Sequence, residues 1–389
     1  MKFFLALICL HYCLASFGQN LDLNNGNFVN PDYYIELPFQ KINNKIIVDV
    51  EIGGKKRKFI LDTGAPMAIS KELFNELKYT VLSKQNISDI NQNMDSLLIV
   101  KVDSLKMGYN FITEIPAIVF NNNLIMDCLK VDGLIGSNAL RNSVIQFDTK
   151  NQIIRITNSI SKLKLDLLQG NDIMLDQQSS PYLKFNIGAK ISEFVLFDTG
   201  SDEFYSMADK KIEKFRKAKD FKIIYTSNGS NTLGMAGFAN SKETSLMFIP
   251  FIKLNGVKID NIISESNNDI NSRIGVKMLD YGKLTLDYKN KQCFFEPYSN
   301  NQEFENNQLQ ISLNFIDNHL CIGKIWTKEL NQQVEIGAKI ISINNKNVEN
   351  MNLCEAIKNP PLNGSSIFKI DVKKNNSKFV TIEIEKIKR

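Results

Sequence analysis

The chain reads Phe59-Ile60-Leu61-Asp62-Thr63-Gly64-Ala65 and, 136 residues further on, Val195-Leu196-Phe197-Asp198-Thr199-Gly200-Ser201. Each segment leads an apolar run straight into an aspartate, which directs the carboxylate toward a buried or half-buried position where its charge is costly. For one such triplet, a capped turn is the simpler interpretation. Two triplets in matching contexts predict two halves of one site.

The repeat extends beyond the two triplets. Leu134-Ile135-Gly136 ends 74 residues after Asp62, and Arg273-Ile274-Gly275 ends 77 residues after Asp198. Twelve residues beyond each glycine stands another aspartate, in Phe147-Asp148-Thr149-Lys150-Asn151 and in Leu286-Asp287-Tyr288-Lys289-Asn290. We therefore predict two lobes of the same layout, with the boundaries 33–158 for lobe one, 159–173 for a connector and 174–298 for lobe two.

Short β-type runs separated by turn signals dominate both lobes. Residues 34–39 and 46–52 are examples, and Gly53-Gly54 after the second run is a hairpin signal. Helical patterns are short, at 71–77 and 207–217. The pattern predicts a mainly β protein with two tandem β-barrel lobes that share one cleft.

The pattern changes at about residue 303 and predicts a third, smaller domain over 303–389. Strands are expected at 308–314, 319–326, 367–373 and 380–387, with a helix at 353–358. This mixture of elements predicts a small α/β domain.

The composition limits the classes of function. Of 389 residues, 43% are hydrophobic and 23% charged, as in soluble globular proteins, and the length suits two or three domains. The net charge of +5 is small and the lysines are dispersed. Without a basic stripe interleaved with aromatic residues, nucleic-acid binding is not expected.

The N-terminus has the pattern of a secretory signal peptide. Lys2 precedes an apolar stretch that ends near Ser16 and Gly18, which predicts a signal peptide over 1–18 and a flexible lead-in over 19–32. A buried N-terminal helix, or a lipid anchor on Cys9 or Cys13, is the alternative. The mature protein is expected to be exported, as a periplasmic, cell-envelope or secreted protein.

Few residues are available for chemistry other than that of carboxylates. After the leader only His319 remains among the histidines, which argues against Ser-His-Asp, Cys-His and His-based metal sites. The four later cysteines lack CxxC spacing, so we expect isolated buried thiols, with disulfides as the alternative that export permits. We predict no metal and no cofactor. The four cysteines after the leader are Cys128, Cys293, Cys321 and Cys354.

Two convergent carboxylates can hydrolyse an amide without further help. A close pair shares one proton, so one member acts as general base toward water and the other as general acid toward the carbonyl oxygen. Thr63 and Thr199 supply hydroxyls that can bond the opposing segment. Gly64 and Gly200 let backbone N–H groups approach the carboxylates.

These motifs resemble those of aspartic proteases, of both the pepsin-like and the retroviral type. Asp62-Thr63-Gly64-Ala65 and Asp198-Thr199-Gly200-Ser201 look like the active-site motif, while Leu134-Ile135-Gly136 and Ile274-Gly275 look like the second, structural motif. The resemblance implies a fused tandem of bacterial retropepsin-like lobes. It further implies an aspartic endopeptidase with Asp62 and Asp198 as the dyad, acting on peptide or protein substrates as a monomer.

The resemblance also implies a β-hairpin flap over the cleft. Lobe two offers the glycine-rich stretch that contains Gly229, Gly234 and Gly237, for which an ordinary surface loop is the alternative. In lobe one, Asp89-Ile90-Asn91-Gln92-Asn93-Met94 has no glycine. The two flaps are therefore expected to differ.

The third domain resembles a PDZ domain. Gly337-Ala338-Lys339-Ile340-Ile341-Ser342-Ile343-Asn344-Asn345 carries the resemblance, and Ile311-Ser312-Leu313-Asn314-Phe315 is the positional candidate for the carboxylate-binding loop. Such a domain binds a peptide by adding it as a strand. Peptide binding and a purely structural role both remain open, and so does a catalytically silent, two-lobed peptide-binding scaffold.

Overall fold

The computed structural model of this chain describes residues 22–88, 94–165, 170–231, 233–234, 237–300 and 302–388. The predicted signal peptide lies outside the described residues, as do Asp89 to Asn93 and, within the glycine-rich stretch, Thr232, Met235 and Ala236. Across the described ranges, no helix is long and apolar enough to cross a membrane.

Lobe one is built mainly of β-strands, most of which pair antiparallel. Its short helices are α1 (Lys71–Leu77), α2 (Leu124–Leu129) and α3 (Ser137–Leu140). Its strands are β1 (Asn27–Phe28), β2 (Tyr34–Ile42), β3 (Lys45–Ile52), β4 (Lys55–Asp62), β5 (Ala68–Ser70), β6 (Thr80–Ser88), β7 (Met94–Met107), β8 (Asn110–Phe120), β9 (Gly133–Gly136), β10 (Val144–Asp148) and β11 (Ile153–Thr157). Strand β4 pairs in parallel with β9, and β5 pairs in parallel with β8.

Local sequence accounts for several of these elements. Buried residues alternate along β2 because every second side chain of a strand faces the core. Gly53 and Gly54 form the turn between β3 and β4, and their positive φ angles of 59° and 72° suit glycine. Helix α1 begins after Ser70, whose hydroxyl accepts a hydrogen bond from the Leu73 N–H and so caps the helix.

Lobe two repeats this order of elements. It contains the helix α4 (Asp209–Arg216) and the 3-10 helix Val276–Asp280, and another 3-10 helix, Ile160–Lys162, precedes it. Its strands are β12 (Asn171–Leu175), β13 (Pro181–Ile187), β14 (Ile191–Asp198), β15 (Tyr205–Ala208), β16 (Lys222–Gly229), β17 (Leu233–Gly234), β18 (Gly237–Phe238), β19 (Lys242–Leu254), β20 (Val257–Asn267), β21 (Arg273–Gly275), β22 (Gly282–Asp287), β23 (Gln292–Pro297) and β24 (Gln302–Glu303).

One antiparallel sheet joins the two lobes, in the order β2, β11, β10, β22, β23, β12. At its centre β10 pairs with β22, from Val144 opposite Asp287 to Phe147 opposite Leu284. A shared hydrophobic core runs through both lobes, and Phe147 of lobe one meets Phe197 of lobe two edge to face, with 5.7 Å between ring centres. The predicted mainly β class is confirmed, and the lobes are packed as one body.

The third domain has its own sheet and core. Its elements are β25 (Ile311–Ile316), β26 (His319–Ile325), α5 (Lys328–Asn331), β27 (Lys339–Ile343), β28 (Lys346–Asn347), α6 (Leu353–Lys358), β29 (Ile367–Lys373) and β30 (Phe379–Glu385). The sheet order is β25, β26, β27, β29, β30, with β28 paired to β27. Ile311 to Ile316 form strand β25, in agreement with the strand predicted at 308–314. The candidate carboxylate-binding stretch from Ile311 to Phe315 is therefore strand and not loop, because its backbone pairs with β26.

The third domain contacts both lobes. On lobe two, the Ser230 N–H donates to the Gly323 carbonyl, the Ile325 N–H donates to Ser227 Oγ, and Lys324 forms a buried ion pair with Glu265 at 2.7 Å. Trp326 completes an apolar cluster with residues of β19 and β20. On lobe one, helix α6 packs against α2, so the domain bridges the two lobes.

A disulfide fixes the contact with lobe one. Cys128 in α2 and Cys354 in α6 are bonded across a sequence separation of 226 residues, whereas Cys293 and Cys321 are free and buried. The prediction of isolated thiols is therefore wrong for Cys128 and Cys354. The error has a simple reason: the pairing depends on the docking of α6 against lobe one, and no spacing within the sequence indicates that contact.

We expect Cys354→Ala to lower the melting temperature and to reduce the free energy of unfolding by about 2–5 kcal/mol. The reason is that a bond that closes so long a loop restricts the conformations of the unfolded chain. Thermal unfolding with and without a reductant measures the effect. Reductant should lower the melting temperature of the wild type and of Cys321→Ala, the matched buried free cysteine, but not that of Cys354→Ala. A wild-type melting temperature that is insensitive to the reductant would contradict the bond.

Candidate active site

Each aspartate of the repeated triplets stands at the end of a strand that pairs in parallel with the second motif. Asp62 closes β4 opposite Gly136 of β9, and Asp198 closes β14 opposite Gly275 of β21. A side chain on Gly136 would lie 2.1 Å from the Pro66 carbonyl carbon, and one on Gly275 would lie 2.2 Å from the Glu203 carbonyl oxygen. The predicted structural residues Leu134, Ile135 and Ile274 lie in these same two strands and carry the glycines to this position.

The residues after the two Asp-Thr-Gly triplets stabilise the motifs through their backbones. The Ala65 carbonyl accepts a hydrogen bond from the Ser137 N–H, and the Ser201 carbonyl accepts one from the Val276 N–H. Both contacts tie the Asp-Thr-Gly turn to the residue that follows the second-motif glycine. Ala65 and Ser201 therefore play equivalent backbone roles.

The two threonines lock the motifs to each other. The Thr63 N–H donates to Thr199 Oγ1 and the Thr199 N–H donates to Thr63 Oγ1, both at 3.0 Å. Each hydroxyl also donates across the interface, from Thr63 to the Phe197 carbonyl at 2.7 Å and from Thr199 to the Leu61 carbonyl at 2.8 Å. Both threonines are fully buried. The four reciprocal bonds hold the two strand ends in a fixed relation.

The two glycines bring the carboxyls together. The Gly64 N–H donates to Asp62 Oδ1 at 2.9 Å and the Gly200 N–H donates to Asp198 Oδ1 at 2.8 Å. A side chain at Gly64 would lie 2.4 Å from Asp198 Cγ, and one at Gly200 would lie 2.5 Å from Asp62 Oδ2. Only glycine leaves room for the opposite lobe's aspartate at these positions.

The electrostatics of the site favour a proton on Asp62. Burial among protein atoms, followed by the nearby charge of Asp198, raises the pKa of Asp62 from 3.8 to about 7, although the residue keeps an intermediate exposure. A hydrogen bond between the two carboxyls contributes in the same direction. Lys45 and the Gly64 N–H act in the opposite direction without cancelling these effects. A carboxylic acid that is still protonated near neutral pH can act as a general acid.

Two basic residues complete the site. Lys45 of lobe one crosses to lobe two, where its Nζ donates to the Gly200 carbonyl and to Asp202 Oδ1. Burial works against its charge, but Asp202, Asp198 and Asp62 outweigh burial and raise the pKa of Lys45. Arg273 Nη1 pairs with Asp198 Oδ2, and its Nη2 pairs with Asp269.

Sequence reasoning missed the roles of these two cations. A signal was present for each: Lys45 begins a strand whose next three residues are buried and apolar, and Arg273 replaces the apolar first residue of the second motif. The Gly200 carbonyl and Asp202 lie 155 and 157 residues along the chain from Lys45. Asp198 lies 75 residues from Arg273. Only the tertiary structure identifies these partners.

Each lobe has a pair of antiparallel strands between its Asp-Thr-Gly motif and its second glycine motif, the region from which a flap was predicted. In lobe one β6 pairs with β7 up to Ser88 opposite Met94, and in lobe two β16 pairs with β19 up to Gly229 opposite Lys242. Gly234 and Gly237 pair with each other in the small β17–β18 ribbon. The lobe-two hairpin differs from its counterpart because it is tied to the third domain through Ser227 and Ser230.

Metal chemistry was not expected at this site. Within the described part of the chain, no group of three or more histidine, cysteine, aspartate or glutamate side chains is arranged to hold a metal ion. The groups gathered at the two strand ends are the two carboxyls, their backbone donors and the two cations.

Comparison with known proteins finds a family similarity in lobe one. Residues 48–142 match the family model of the gag-polyprotein putative aspartyl protease. The match covers most of lobe one, including Asp62-Thr63-Gly64 and the second motif Leu134-Ile135-Gly136. No curated protein sequence matches the chain.

Solved structures with a similar chain trace include two aspartic proteases. The retropepsin-like aspartic protease from Rickettsia conorii is 16% identical, with 34% of this chain and 94% of that chain covered and a TM-score of 0.26. The aspartic proteinase from Irpex lacteus is 13% identical, with 69% of this chain and 98% of that chain covered and a TM-score of 0.42.

Proposed function

We propose that this protein is an exported aspartic endopeptidase in which Asp62 and Asp198 form the catalytic dyad. One observation carries the proposal: within a single chain, each Asp-Thr-Gly glycine donates its N–H to its own aspartate and also lies directly against the carboxyl of the opposite lobe, so the two carboxyls converge on one point. Such a pair holds one proton between two oxygens and therefore offers an acid and a base at the same point.

The chemistry needs only the dyad and a water molecule. The ionised carboxyl takes a proton from water while the oxygen of that water bonds to the peptide carbonyl carbon, and the protonated carboxyl gives its proton to the carbonyl oxygen. When the tetrahedral intermediate collapses, the C–N bond breaks and the proton taken from water passes to the leaving amine. A proton transferred back from the intermediate restores the dyad.

The arrangement of the chain supports activity as a monomer. Both Asp-Thr-Gly motifs belong to one polypeptide, and the sheet that joins the lobes is formed within it. The reciprocal threonine bonds also run between the two lobes of the same chain. A second copy is not needed to complete the dyad.

Export is supported by the disulfide. Structural disulfides persist mainly in oxidising compartments such as the periplasm and the extracellular space. The bond between Cys128 and Cys354 therefore agrees with the signal peptide expected over 1–18.

A peptide ligand for the PDZ-like domain is supported by its sheet. Strand β25 lies at one end of the strand order, and a strand in that position can accept an extended peptide as an additional strand. Because this domain also contacts the lobe-two hairpin, such a peptide would bind close to the catalytic lobes.

Incubation of the purified chain with a mixed peptide library, read by mass spectrometry from pH 3 to 9, tests the proposal. We expect internal cleavage that declines as the pH rises through about 7, because Asp62 then loses the proton that it must donate. A statine-type inhibitor should abolish cleavage because it mimics the tetrahedral intermediate. Peptide retention without cleavage at any pH would instead favour the silent scaffold, and activity found only in a dimer fraction would overturn the monomer proposal.

A further inference from the structure

Arg273 and Leu134 occupy equivalent positions in the two lobes. Leu134 pairs with Ile60, two residues before Asp62, and Arg273 pairs with Leu196, two residues before Asp198. Leu134 packs into an apolar cluster of lobe one that also contacts Ala65. Arg273 instead extends its guanidinium to Asp198 and Asp269, with only 13% of the side chain exposed. The internal repeat thus shows which residue breaks the symmetry of the site.

We propose that Arg273 is a positioning residue that assigns the shared proton of the dyad, because its cation keeps Asp198 ionised and leaves the proton on Asp62. The proposal deepens the peptidase function and rests on it for its catalytic consequence. Asp198 is then the general base that deprotonates water, and Asp62 is the general acid that protonates the carbonyl oxygen.

The backbone N–H groups cannot determine which of the two carboxyls carries the shared proton. The N–H···Oδ1 distances are 2.9 Å for Asp62 and 2.8 Å for Asp198, so both carboxyls receive equivalent bonds. The guanidinium, in contrast, contacts Asp198 alone of the two. Arginine remains protonated at all physiological pH values, and a positive charge in contact with a carboxylate favours its ionised form.

The other charged groups around the dyad do not reproduce this effect. Lys45 Nζ bonds the Gly200 carbonyl and Asp202, and its charge acts on both dyad carboxyls. Asp269 holds the second arm of Arg273 and partly neutralises it. Tyr182 also faces this cluster, but burial raises its pKa to about 12, so its phenol is neutral in the range of interest.

The experiment compares the pH profiles of kcat/KM for the wild type, Arg273→Leu, Arg273→Lys and Asp269→Asn. In Arg273→Leu the acid limb should move to higher pH by at least about one unit, because Asp198 is harder to ionise without the cation. Arg273→Lys should keep most of the wild-type position. Asp269→Asn leaves Arg273 less neutralised, so its acid limb should move to lower pH.

The matched control is Arg155→Leu, which removes an arginine that is ion-paired with Asp148 and Glu36 in the sheet between the lobes. Its pH limbs should coincide with those of the wild type. If Arg273→Leu is too unstable to assay, the acid limb of Asp269→Asn still decides the matter, because it should move to lower pH while that of Arg273→Lys stays close to the wild type. The proposal would be overturned if the pH profiles of kcat/KM were unchanged in all Arg273 and Asp269 variants. It would also be overturned if Arg273→Leu were more active than the wild type at every pH, since Arg273 would then only obstruct the dyad.

A second measurement separates this proposal from the peptidase function. Carbon-13 NMR titration of the aspartate carboxyls reports the ionisation order of Asp62 and Asp198 whether or not the protein cleaves peptides. We expect Asp198 to ionise first in the wild type, and the two transitions to converge in Arg273→Leu. A wild type that cleaves nothing but shows this order would refute the peptidase function alone, whereas the reverse order would refute the role of Arg273.

Discussion

Replacement of either dyad aspartate by asparagine should reduce kcat by about 10³–10⁴-fold. Asparagine preserves the size of the side chain, but it can neither accept a proton as a base nor donate one as an acid. In the proposed mechanism, Asp62→Asn removes the proton held for the carbonyl oxygen, and Asp198→Asn removes the base that activates water. Single-turnover cleavage of a library-derived peptide measures the loss at the chemical step.

The control for this experiment is Asp280→Asn, which neutralises an exposed aspartate whose partner is Lys41. That ion pair lies at the surface, where its contribution is small, so cleavage and melting temperature should match those of the wild type. A variant that loses the activity but keeps the melting temperature locates the defect in chemistry. Retention of wild-type cleavage by both dyad variants would show that these carboxyls are not the catalytic groups.

Replacement of Thr199 by valine should destabilise the protein by about 2–5 kcal/mol and reduce cleavage as well. Valine has nearly the same shape but lacks the hydroxyl. That hydroxyl accepts a hydrogen bond from the buried Thr63 N–H at 3.0 Å and donates one to the Leu61 carbonyl at 2.8 Å, and both bonds would be lost. The two strand ends would lose part of their connection, and the carboxyls at those ends would lose their fixed spacing. Thermal unfolding followed by the peptide assay measures both consequences.

Thr199→Ser provides the matched control because it keeps the hydroxyl and removes only a methyl group. We expect its melting temperature to lie close to that of the wild type and well above that of Thr199→Val. The same comparison at Thr63 should give the same order, since the hydrogen bonds are reciprocal. Equal melting temperatures for the serine and valine variants would contradict a structural role of the hydroxyls.

Much of the local structure follows from patterns within a few residues. The predicted helices at 71–77 and 353–358 coincide with α1 and α6, and the predicted strand at 367–373 coincides with β29. Capping groups and the alternation of apolar side chains determine such elements. Where those signals are weaker, the observed bounds of an element differ from the predicted ones. Strand β25, for example, begins at Ile311 and not at residue 308.

Long-range partners were not predictable in the same way. The sequence contains Cys128 and Cys354, but nothing near either residue indicates that α6 docks on α2. Lys45 is similar, because a lysine at the start of an apolar strand has many possible partners until the fold places Asp202 and the Gly200 carbonyl beside it. Such groups meet when the chain between them closes into a loop. The entropic cost of that closure grows only slowly with the number of residues in between, so sequence distance does not indicate which groups will meet.

The sequence by itself determined that this protein has two related halves, each ending a strand in Asp-Thr-Gly and each supplying a glycine motif behind it. Short-range chemistry suffices for that inference, because strand periodicity and the small size of glycine act locally. Only the tertiary structure decided that the halves are unequal. Arg273 contacts Asp198, Lys45 crosses between the lobes, and the third domain is tied to one lobe by a disulfide and to the other by a hairpin. Electrostatic asymmetry is a matter of distances across the fold, and the linear order of residues does not specify those distances.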